Sequence, residues 1–549
     1  MPGTSQFTVP FTHPLTPAAS FKKSVAYFSM EFAVDQALKI YSGGLGFLAG
    51  SHMKSAFALN QNLIGVGMLW KYGYYDQDRK QDNCMEVEFR EKIYHFLVDT
   101  KIRVSLEIAG KTVWVAAYYL APEIFNTAPL FLLTTDIEGN DFETRDISYT
   151  LYDSDAATKV AQCMVLGIGG AKVLDALGYT PKVYHFNEAH ALSAAFYLSQ
   201  KGLNREQLKQ QLVFTTHTPE EAGNEKHDSQ FLYHLGFFAG LSLDEVRSLT
   251  GIQDSIFNHT LAALRVSRKA NGVSRLHGEV SRLMWGNFED ICEITHITNA
   301  QNKTYWADYQ LEESRKKNDY PAIASRKKEL KKVLFKTVAD QCGKLFDPEI
   351  LTIVWARRFA GYKRADMLTW DTERFDKLLR NSRYPIQLIW AGKPYPKDET
   401  AIQTFNKLHY ISHLHSNMAV LTGYELGLSK LLKDGSDVWL NTPVVTREAS
   451  GTSGMTAAMN ASLNCSTFDG WICEFARANE NAFLIPIAQG NNVNQEDMEQ
   501  LFDLLENQIL PMYYDQPDAW AKMVLTSMHE VGDYFNSDRM ATEYYEKLY

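Results

Sequence analysis

The chain has 549 residues, too many for one ordinary hydrophobic core, and its 45% hydrophobic and 22% charged residues are typical of a globular protein with two or three domains. A net charge of -10 argues against nucleic-acid binding, and six scattered cysteines without a C-x-x-C pair argue against a disulfide framework. Residues 1–20 lack the pattern of a secretory signal and no apolar run has transmembrane length, so we expect a cytoplasmic protein with no membrane partner.

Two kinds of strand pattern follow one another along the chain. Residues 87–134 alternate between apolar and polar side chains, which predicts antiparallel strands. Later apolar runs are each followed by polar or glycine-rich residues and a helix-length segment, which is typical of parallel α/β units. The charged segment 308–332 is interpreted as a solvated helix between domains, with a basic patch for an acidic partner as the alternative. The predicted strands are 102–106, 113–115 and 130–133 in the antiparallel region, and 183–186, 212–215, 350–355 and 386–392 in the parallel units.

The first candidate site is the glycine-rich segment Tyr41–Gly46, which precedes a helical pattern. Glycines allow the backbone to approach a ligand closely, and the start of a helix offers N–H donors. An ordinary structural turn explains the same residues equally well.

Two polar segments lie at the ends of predicted strands. Phe214–Asn224 contains His217, a candidate ligand contact, in a loop shaped by Pro219 and Gly223. The histidines of this region lack a zinc-binding spacing, so no metal is predicted. The other segment, Asn187–His190, is explained equally well by polar residues that satisfy the ends of a strand and a helix.

Four cations lie within eight residues directly after the predicted strand 350–355. They are Arg357, Arg358, Lys363 and Arg364. Arginine offers a planar fork to phosphate oxygens, and lysine offers a compact charge. We therefore predict a phosphate or diphosphate site, with a surface ion-pair cluster as the alternative.

The segment from Arg447 to Thr456 places the carboxylate of Glu448 before a run of small and hydroxylated residues. The following residues, 457–463, have a composition that can continue into a helix. Backbone N–H groups at a helix start favour an anion, and the carboxylate can accept hydrogen bonds from hydroxyl groups. The segment predicts a site for an anion beside a hydroxyl-rich ligand.

Taken together, these segments resemble the α-glucan phosphorylases, in particular their short bacterial and archaeal form. The resemblance spans about residues 25–475 and implies an α/β fold of the GT-B glycosyltransferase type, with two Rossmann-like lobes facing a deep cleft. We expect an N-terminal lobe at 1–335, a C-terminal lobe at 336–520, and a helical segment at 521–549 that packs back on the N-terminal lobe. The motifs that carry the resemblance, in the family's order, are Tyr27–Phe32, Tyr41–Gly50, Asn187–His190, Phe214–Asn224, Gly361–Arg364, Asp437–Pro443 and Glu448–Met455.

The resemblance also implies roles for individual residues. Arg358 is expected to bind the substrate phosphate, and Lys363 to hold the 5′-phosphate of pyridoxal phosphate. Arg357 and Trp306 are expected to line the cofactor site. The expected catalytic residues are His217, Arg358, Lys363 and Glu448, and the expected substrate-binding residues are Gly43, Gly44, Leu45, Asn299, Tyr362, Ser450, Gly451 and Thr452. The expected partners are an α-glucan or maltodextrin and phosphate or a sugar phosphate, with a homodimer as one expected assembly.

Thr456 departs from the family pattern, because the resemblance implies at this position the lysine that forms an imine with pyridoxal phosphate. A hydroxyl group cannot form an imine, so the cofactor is either held without a covalent bond at this position or absent. Three functions stay open. We favour phosphorolysis of an α-1,4-glucan to glucose 1-phosphate. The alternatives are retaining transfer from a sugar nucleotide without a cofactor, and non-catalytic binding of a glucan or sugar phosphate.

Overall fold

The computed structural model describes residues 7–549, so the first six residues of the segment 1–20 lie outside the described residues. The chain forms two compact units. The first unit comprises the chain up to Tyr74, Phe89–Thr298 and Ser537–Tyr549, and the second comprises Tyr75–Glu88 and Asn299–Asn536. Within the described residues, no helix is both long enough and apolar enough to cross a membrane.

A nine-stranded sheet lies at the centre of the first unit. Its middle strands are mostly apolar and are buried at every position, as expected for parallel strands covered by helices. The last two strands pair antiparallel, which confirms the antiparallel strands predicted within residues 102–133. In spatial order the strands are Glu293–His296, Lys269–Gly272, Leu212–Thr215, Val183–Asn187, Val25–Phe28, Leu63–Met68, Leu130–Thr134, Lys111–Leu120 and Val98–Ile108. A separate antiparallel pair joins Lys226–Asp228 to Ile256–Asn258.

Helices surround this sheet, and the C-terminal residues of the chain are among them. Helix Ser537–Glu543 packs on helix Gly44–Ala58, where the hydroxyl oxygens of Ser55 and Ser537 lie 2.6 Å apart. The Tyr549 hydroxyl lies 2.7 Å from Nδ1 of the buried His185. The α-helices of the first unit are Gly44–Ala58, Pro122–Phe125, Phe142–Asp146, Ala156–Met164, Gly170–Ala176, Ser193–Gln200, Arg205–Gln211, Ser229–Leu235, Leu243–Thr250, His259–Val266, Arg275–Trp285 and Ser537–Glu543.

A six-stranded parallel sheet lies at the centre of the second unit, which confirms the parallel strands predicted at 350–355 and 386–392. Alternate side chains of its strand Leu351–Ala356 enter two different cores. Ile353 and Trp355 belong to one apolar cluster, and Val354 and Ala356 belong to the other. In spatial order the strands are Met418–Leu421, Ile386–Ala391, Leu351–Ala356, Val438–Asn441, Leu463–Thr467 and Ala482–Ile485.

A short antiparallel pair, Asp76–Arg79 with Met85–Glu88, also belongs to the second unit. The Gln77 amide donates to the Gly392 carbonyl at 2.9 Å, and the Met85 side chain enters the core. The α-helices of this unit are Lys303–Trp306, Tyr309–Lys316, Tyr320–Cys342, Thr372–Leu379, Glu399–Ser412, Leu426–Gly435, Ser453–Met459, Ile472–Phe475, Val493–Leu504, Leu510–Asp515 and Pro517–Tyr534.

The larger segment of the second unit begins at Asn299, whereas the C-terminal lobe was expected to begin at residue 336. The reason is that helix Tyr320–Cys342 packs on the second sheet, with Leu334 buried in one of its cores. The interpretation of segment 308–332 as a solvated helix is wrong for two of its lysines. Lys331 is buried and lies 2.6 Å from the Asp437 carboxylate, and the Lys327 ammonium donates to the carbonyl of Asn460.

Candidate functional site

Two cations and one carboxylate meet beyond the second sheet. Arg357 and Lys363 follow strand Leu351–Ala356, and Glu448 follows the adjacent strand Val438–Asn441. Because the strands are parallel, both segments leave the same edge of the sheet, where open α/β sheets bind ligands. Nη2 of Arg357 and Nζ of Lys363 each lie 2.7 Å from the same oxygen, Oε2 of Glu448.

Two glycines fix the backbone around this cluster. Gly392 has a φ of +150°, and a Cβ atom there would lie 1.8 Å from the Arg357 carbonyl oxygen. Gly470 has a φ of +64°, and its Cβ would lie 2.4 Å from the Ser450 carbonyl oxygen. Any larger residue at either position would displace a segment that carries the site.

The electrostatics of the cluster favour an ionised Glu448. Burial opposes ionisation, but the charges and hydrogen bonds of Arg357 and Lys363 prevail and lower the pKa of Glu448 from 4.5 to about 2. Asp469 behaves in the opposite way. Burial, aided by the charge of Glu448, raises the pKa of Asp469 to about 6, although its carboxylate accepts hydrogen bonds from the backbone N–H groups of Glu448 and Gly470. Sequence reasoning missed Asp469. The only feature of the sequence that could have indicated it is its position just after strand Leu463–Thr467.

The other cations of the predicted phosphate site have different surroundings. Arg364 forms a buried ion pair with Asp497 at 2.7 Å and donates to the Thr442 carbonyl at 2.8 Å. The prediction that all four cations contribute to one anion site is therefore wrong for Arg364, which holds the loop to the rest of the second unit. Arg358 is exposed, and the half-buried Tyr362 ring lies 4.9 Å from the Lys363 ammonium.

Two predicted sugar contacts carry polar atoms without a protein partner. Oγ of Ser450 and Oδ1 of Asn299 are buried, and neither has a hydrogen-bond partner within residues 7–549. An unsatisfied buried polar atom costs about 1–3 kcal/mol, which a ligand hydroxyl would recover. Gly451 adopts a φ of +86°, and Thr452 directly precedes helix Ser453–Met459.

The predicted cofactor-lining residues Trp306 and Thr456 are each 1% exposed. They share a partner that sequence reasoning missed. The Asn460 amide donates to the Trp306 carbonyl at 2.8 Å and to the Thr456 carbonyl at 2.9 Å. The Thr456 hydroxyl donates to the Ser453 carbonyl at 3.0 Å. Asn460 therefore ties helix Ser453–Met459 to the segment that carries Trp306.

In the first unit, the predicted glycine loop lies at the start of helix Gly44–Ala58, with Leu45 half-buried. Its backbone is held by Glu31, which sequence reasoning left without a role although it lies in the motif Tyr27–Phe32. The Glu31 carboxylate accepts from the N–H groups of Ser42 at 2.6 Å and Gly43 at 3.2 Å. These two donors are therefore engaged by the protein itself.

His217 lies in a loop of the first unit beside an unusual carboxylate. Its Nε2 is 2.7 Å from Oδ1 of Asn187, and its backbone N–H donates to Oε1 of Glu188. Burial, with two further histidines nearby, lowers the pKa of His217 to about 3, so the imidazole is neutral at pH 7. Glu188 has a φ of +68°, and burial raises its pKa to about 7. Backbone strain and a shifted pKa at one residue are typical of functional positions, so Glu188 joins the candidates.

A cavity of about 130 Å³ lies next to Glu188 in the first unit. Lys159 and Glu225 form an ion pair at its wall. In the part of the chain that the structure describes, no group of three or more His, Cys, Asp or Glu side chains is arranged to hold a metal ion. The charged and histidine side chains that line the cavity are Lys159, Glu188, His190, Glu225, His227 and His259.

Comparison with known proteins accounts for this set of motifs. A model of the carbohydrate phosphorylase family matches residues 259–501. The maltodextrin phosphorylase of Thermococcus litoralis is 32% identical, over 96% of this chain and 71% of the relative. The chain belongs to the carbohydrate phosphorylase family. The glycogen phosphorylase of Aquifex aeolicus is 30% identical over 96% of this chain and 86% of the relative, and an uncharacterised protein of Methanocaldococcus jannaschii is 47% identical over 96% of this chain and 100% of its own length.

Membership of this family agrees with the fold. Both units are built around mainly parallel sheets covered by helices, as the GT-B type of glycosyltransferase fold requires. The matched residues 259–501 include the cluster of Arg357, Lys363 and Glu448.

Proposed function

We propose that the protein is a retaining α-glucan glucosyltransferase of the phosphorylase type. It transfers a glucosyl unit from an α-1,4-glucan to phosphate and releases glucose 1-phosphate. Relatives that cover most of the chain are a maltodextrin phosphorylase and several glycogen phosphorylases. The observation that carries the proposal is the contact of Arg357 and Lys363 with Glu448 beyond the parallel sheet.

The charge of this cluster suits a phosphate group. Two cations against one ionised carboxylate leave a net positive charge in a buried place. Arg358, the next residue after Arg357, adds an exposed cation whose planar fork matches phosphate oxygens. A phosphate dianion would balance this charge. Cations placed in advance around a phosphate also stabilise the charge that develops when a glycosidic bond breaks.

Polar atoms of the second unit suit a sugar. Glu448 is ionised at neutral pH, so it can accept hydrogen bonds from glucosyl hydroxyl groups but has no proton to donate. The unpartnered Ser450 and Asn299 oxygens offer further contacts. The neutral His217 ring is anchored by Asn187, and the family resemblance assigns the sugar contact to the His217 backbone carbonyl. We assign Glu448, Ser450 and Asn299 to positioning the sugar rather than to proton transfer.

Pyridoxal phosphate fits the residues of the second unit in part. With the cofactor present, Lys363 and Arg357 would hold its phosphate group and Arg358 would bind the substrate phosphate, and Trp306 provides an aromatic wall. Thr456 provides no amine for its aldehyde. When bound, the cofactor supplies a phosphate group as an anion and proton source beside the substrate phosphate.

The proposal is tested by incubating the purified full-length protein with maltoheptaose and phosphate, with and without added pyridoxal phosphate. Glucose 1-phosphate and a shortened glucan are the expected products. A second incubation replaces phosphate by a series of glucose nucleotides, and a third measures glucan binding by calorimetry. Chain elongation from a nucleotide would overturn the proposal in favour of a nucleotide-dependent transferase. Glucan binding without any turnover would overturn it in favour of a binding protein.

A further inference from the structure

One residue of the first unit holds the loop that carries His217 by three hydrogen bonds. Glu188 and this loop follow two neighbouring parallel strands. The Glu188 carboxylate accepts hydrogen bonds from the His217 backbone N–H and, at 3.1 Å, from the Thr218 hydroxyl. The backbone N–H of Glu188 donates to the Thr215 carbonyl at 2.9 Å. Glu188 therefore contacts both ends of the stretch 215–218, which we call the His217 loop.

The backbone of Glu188 is strained. Its φ of +68° and ψ of 170° lie in a region that glycine occupies almost exclusively. A glycine would adopt this conformation without strain, but it would leave the His217 N–H and the Thr218 hydroxyl without their acceptor. The neighbouring Asn187 contacts the same loop, since its Oδ1 lies 2.7 Å from Nε2 of His217. The end of this strand therefore fixes both the backbone and the ring of His217.

We propose that Glu188 is a positioning residue of the glucosyl transfer, and that its ionised carboxylate holds the His217 loop in the conformation that the reaction uses. This inference rests on the proposed function, in which the backbone carbonyl of His217 contacts the sugar. Glu188 acts through the loop and does not itself touch the substrate. Hydrogen bonds to an ionised acceptor are about twice as strong as those between neutral groups. A displacement of about 1 Å in a group that faces the reaction can slow it about 100-fold.

The surroundings of Glu188 bring its ionisation into the neutral pH range. Burial raises the pKa of Glu188 to about 7, against the hydrogen bonds from the His217 loop, and the charge of Glu225 acts in the same direction as burial. Lys159 does not offset this, because it forms an ion pair with Glu225. The imidazoles nearby are neutral at pH 7, since burial lowers their pKa values. The other ionisable side chains that line the cavity beside Glu188 are Lys159, Cys163, His190, Glu225, His227 and His259.

The first experiment measures kcat of the wild type and of Glu188→Gln between pH 5.5 and pH 8, with saturating maltoheptaose and phosphate. Glutamine keeps an acceptor oxygen for the His217 loop but carries no charge. The ratio of the two kcat values cancels the titration of phosphate itself. This ratio should be close to one at pH 5.5, where Glu188 is protonated, and about tenfold at pH 8, with little change in the KM values. A ratio that does not vary with pH, or an effect confined to KM, would overturn the inference.

The second experiment needs no turnover. Amide hydrogen exchange of the peptide that contains His217 is followed by mass spectrometry at pH 8 in the free protein. Glu188→Ala removes both side-chain hydrogen bonds, so the His217 amide should exchange about tenfold faster than in the wild type. Glu188→Gln, which keeps an acceptor, should give an intermediate rate and decides alone if Glu188→Ala does not fold. Equal exchange rates in the wild type and the folded variants would overturn the inference.

Glu225→Gln is the matched control. Glu225 is a carboxylate of the same cavity, but it is bound to Lys159 rather than to the His217 loop. The control should keep the exchange rate of the His217 amide and the kcat of the wild type at pH 8. Its kcat should rise at a lower pH than that of the wild type, because the charge of Glu225 contributes to the raised pKa of Glu188. Faster exchange in the control, equal to that of Glu188→Ala, would overturn the inference.

The two experiments separate this inference from the proposed function and from a purely structural role. Faster exchange in the variants of Glu188 without any change in kcat would overturn the inference, because the residue would then only stabilise the loop. Phosphorolysis that does not depend on residue 188 would refute this inference alone. Exchange that depends on Glu188 in a protein without phosphorolysis would refute the proposed function, and the positioning role with it, while the contact with the loop would stand.

Discussion

Replacement of Glu448 by glutamine tests the charge cluster at the centre of the candidate site. Glutamine keeps the size of the side chain and one acceptor oxygen but carries no charge. Arg357 and Lys363 would then be buried without their counter-ion, since both are bound to the same carboxylate oxygen at 2.7 Å. Removal of one partner from a buried ion pair typically costs about 3–5 kcal/mol.

The pKa of Glu448 gives a second value for this cost. A decrease from 4.5 to about 2 corresponds to about 3 kcal/mol of stability at pH 7, at about 1.4 kcal/mol for each pH unit. Because the pKa is lower in the folded than in the unfolded protein, this contribution is present above about pH 4.5 and is lost as the pH falls through about 2. The Glu448→Gln variant should therefore be less stable than the wild type by about 3 kcal/mol at pH 7, and the difference should shrink as the pH is lowered below 4.5.

The assay is thermal unfolding followed by calorimetry, with and without phosphate. For a folding unit of this size, 1 kcal/mol shifts the melting temperature by about 2–4 °C, so we expect a decrease of about 6–12 °C in the transition of the second unit. Phosphate should raise the melting temperature of the variant more than that of the wild type, because the anion replaces the missing carboxylate between the two cations.

Asp437→Asn is the matched control. Asp437 lies 2.6 Å from the ammonium of the buried Lys331 in the same unit, so its replacement also breaks a buried ion pair. This control should lose stability without gaining extra stabilisation from phosphate. Equal melting temperatures of Glu448→Gln and the wild type at pH 7, or equal phosphate-induced shifts in the two variants, would refute the reasoning.

Three further substitutions test other parts of the candidate site. Arg358→Ala should abolish glucose 1-phosphate formation while the protein stays folded, and Arg380→Ala, at another exposed arginine of the second unit, should keep full activity. Undiminished activity of Arg358→Ala would remove Arg358 from the phosphate site. Glu188→Gln should increase stability to denaturant by about 3 kcal/mol at pH 8 but by less than about 1 kcal/mol at pH 5. The reason is that the pKa of Glu188 is raised from 4.5 to about 7 in the folded protein, so the wild type loses stability as the pH rises through 7. A gain that is the same at both pH values would contradict this. Ser450→Ala should raise the melting temperature, because it removes a buried hydroxyl that has no partner within residues 7–549, and it should also raise the KM for the glucan. A lower melting temperature would show that the hydroxyl stabilises the free protein.

The strands that carry the candidate site were predictable because strand patterns depend on neighbouring residues. The apolar runs predicted at 212–215 and 386–392 correspond to strands Leu212–Thr215 and Ile386–Ala391. The cationic run follows the predicted strand 350–355, so its placement at the edge of a parallel sheet followed from its position in the sequence. The strand Val438–Asn441, which precedes Glu448, was not among the predicted strands.

The partners of the charged groups were not predictable. Arg364 has the same local sequence context as Lys363, yet it pairs with Asp497 on a distant helix. The carboxylate of Glu31 occupies N–H groups of the glycine loop that a ligand was expected to use. No local pattern separates a cation that holds the fold from one that faces a ligand.

The order of helices, strands and loops, and the side chains available at the strand ends, are properties of short stretches of this chain. The ionisation of Glu448, the neutral ring of His217 and the raised pKa of Glu188 depend instead on which distant groups the fold buries together. Burial and charge act through space over a few ångströms, so residues far apart along the chain, such as Arg357 and Glu448, acquire their chemistry only once the sheet has brought them into contact.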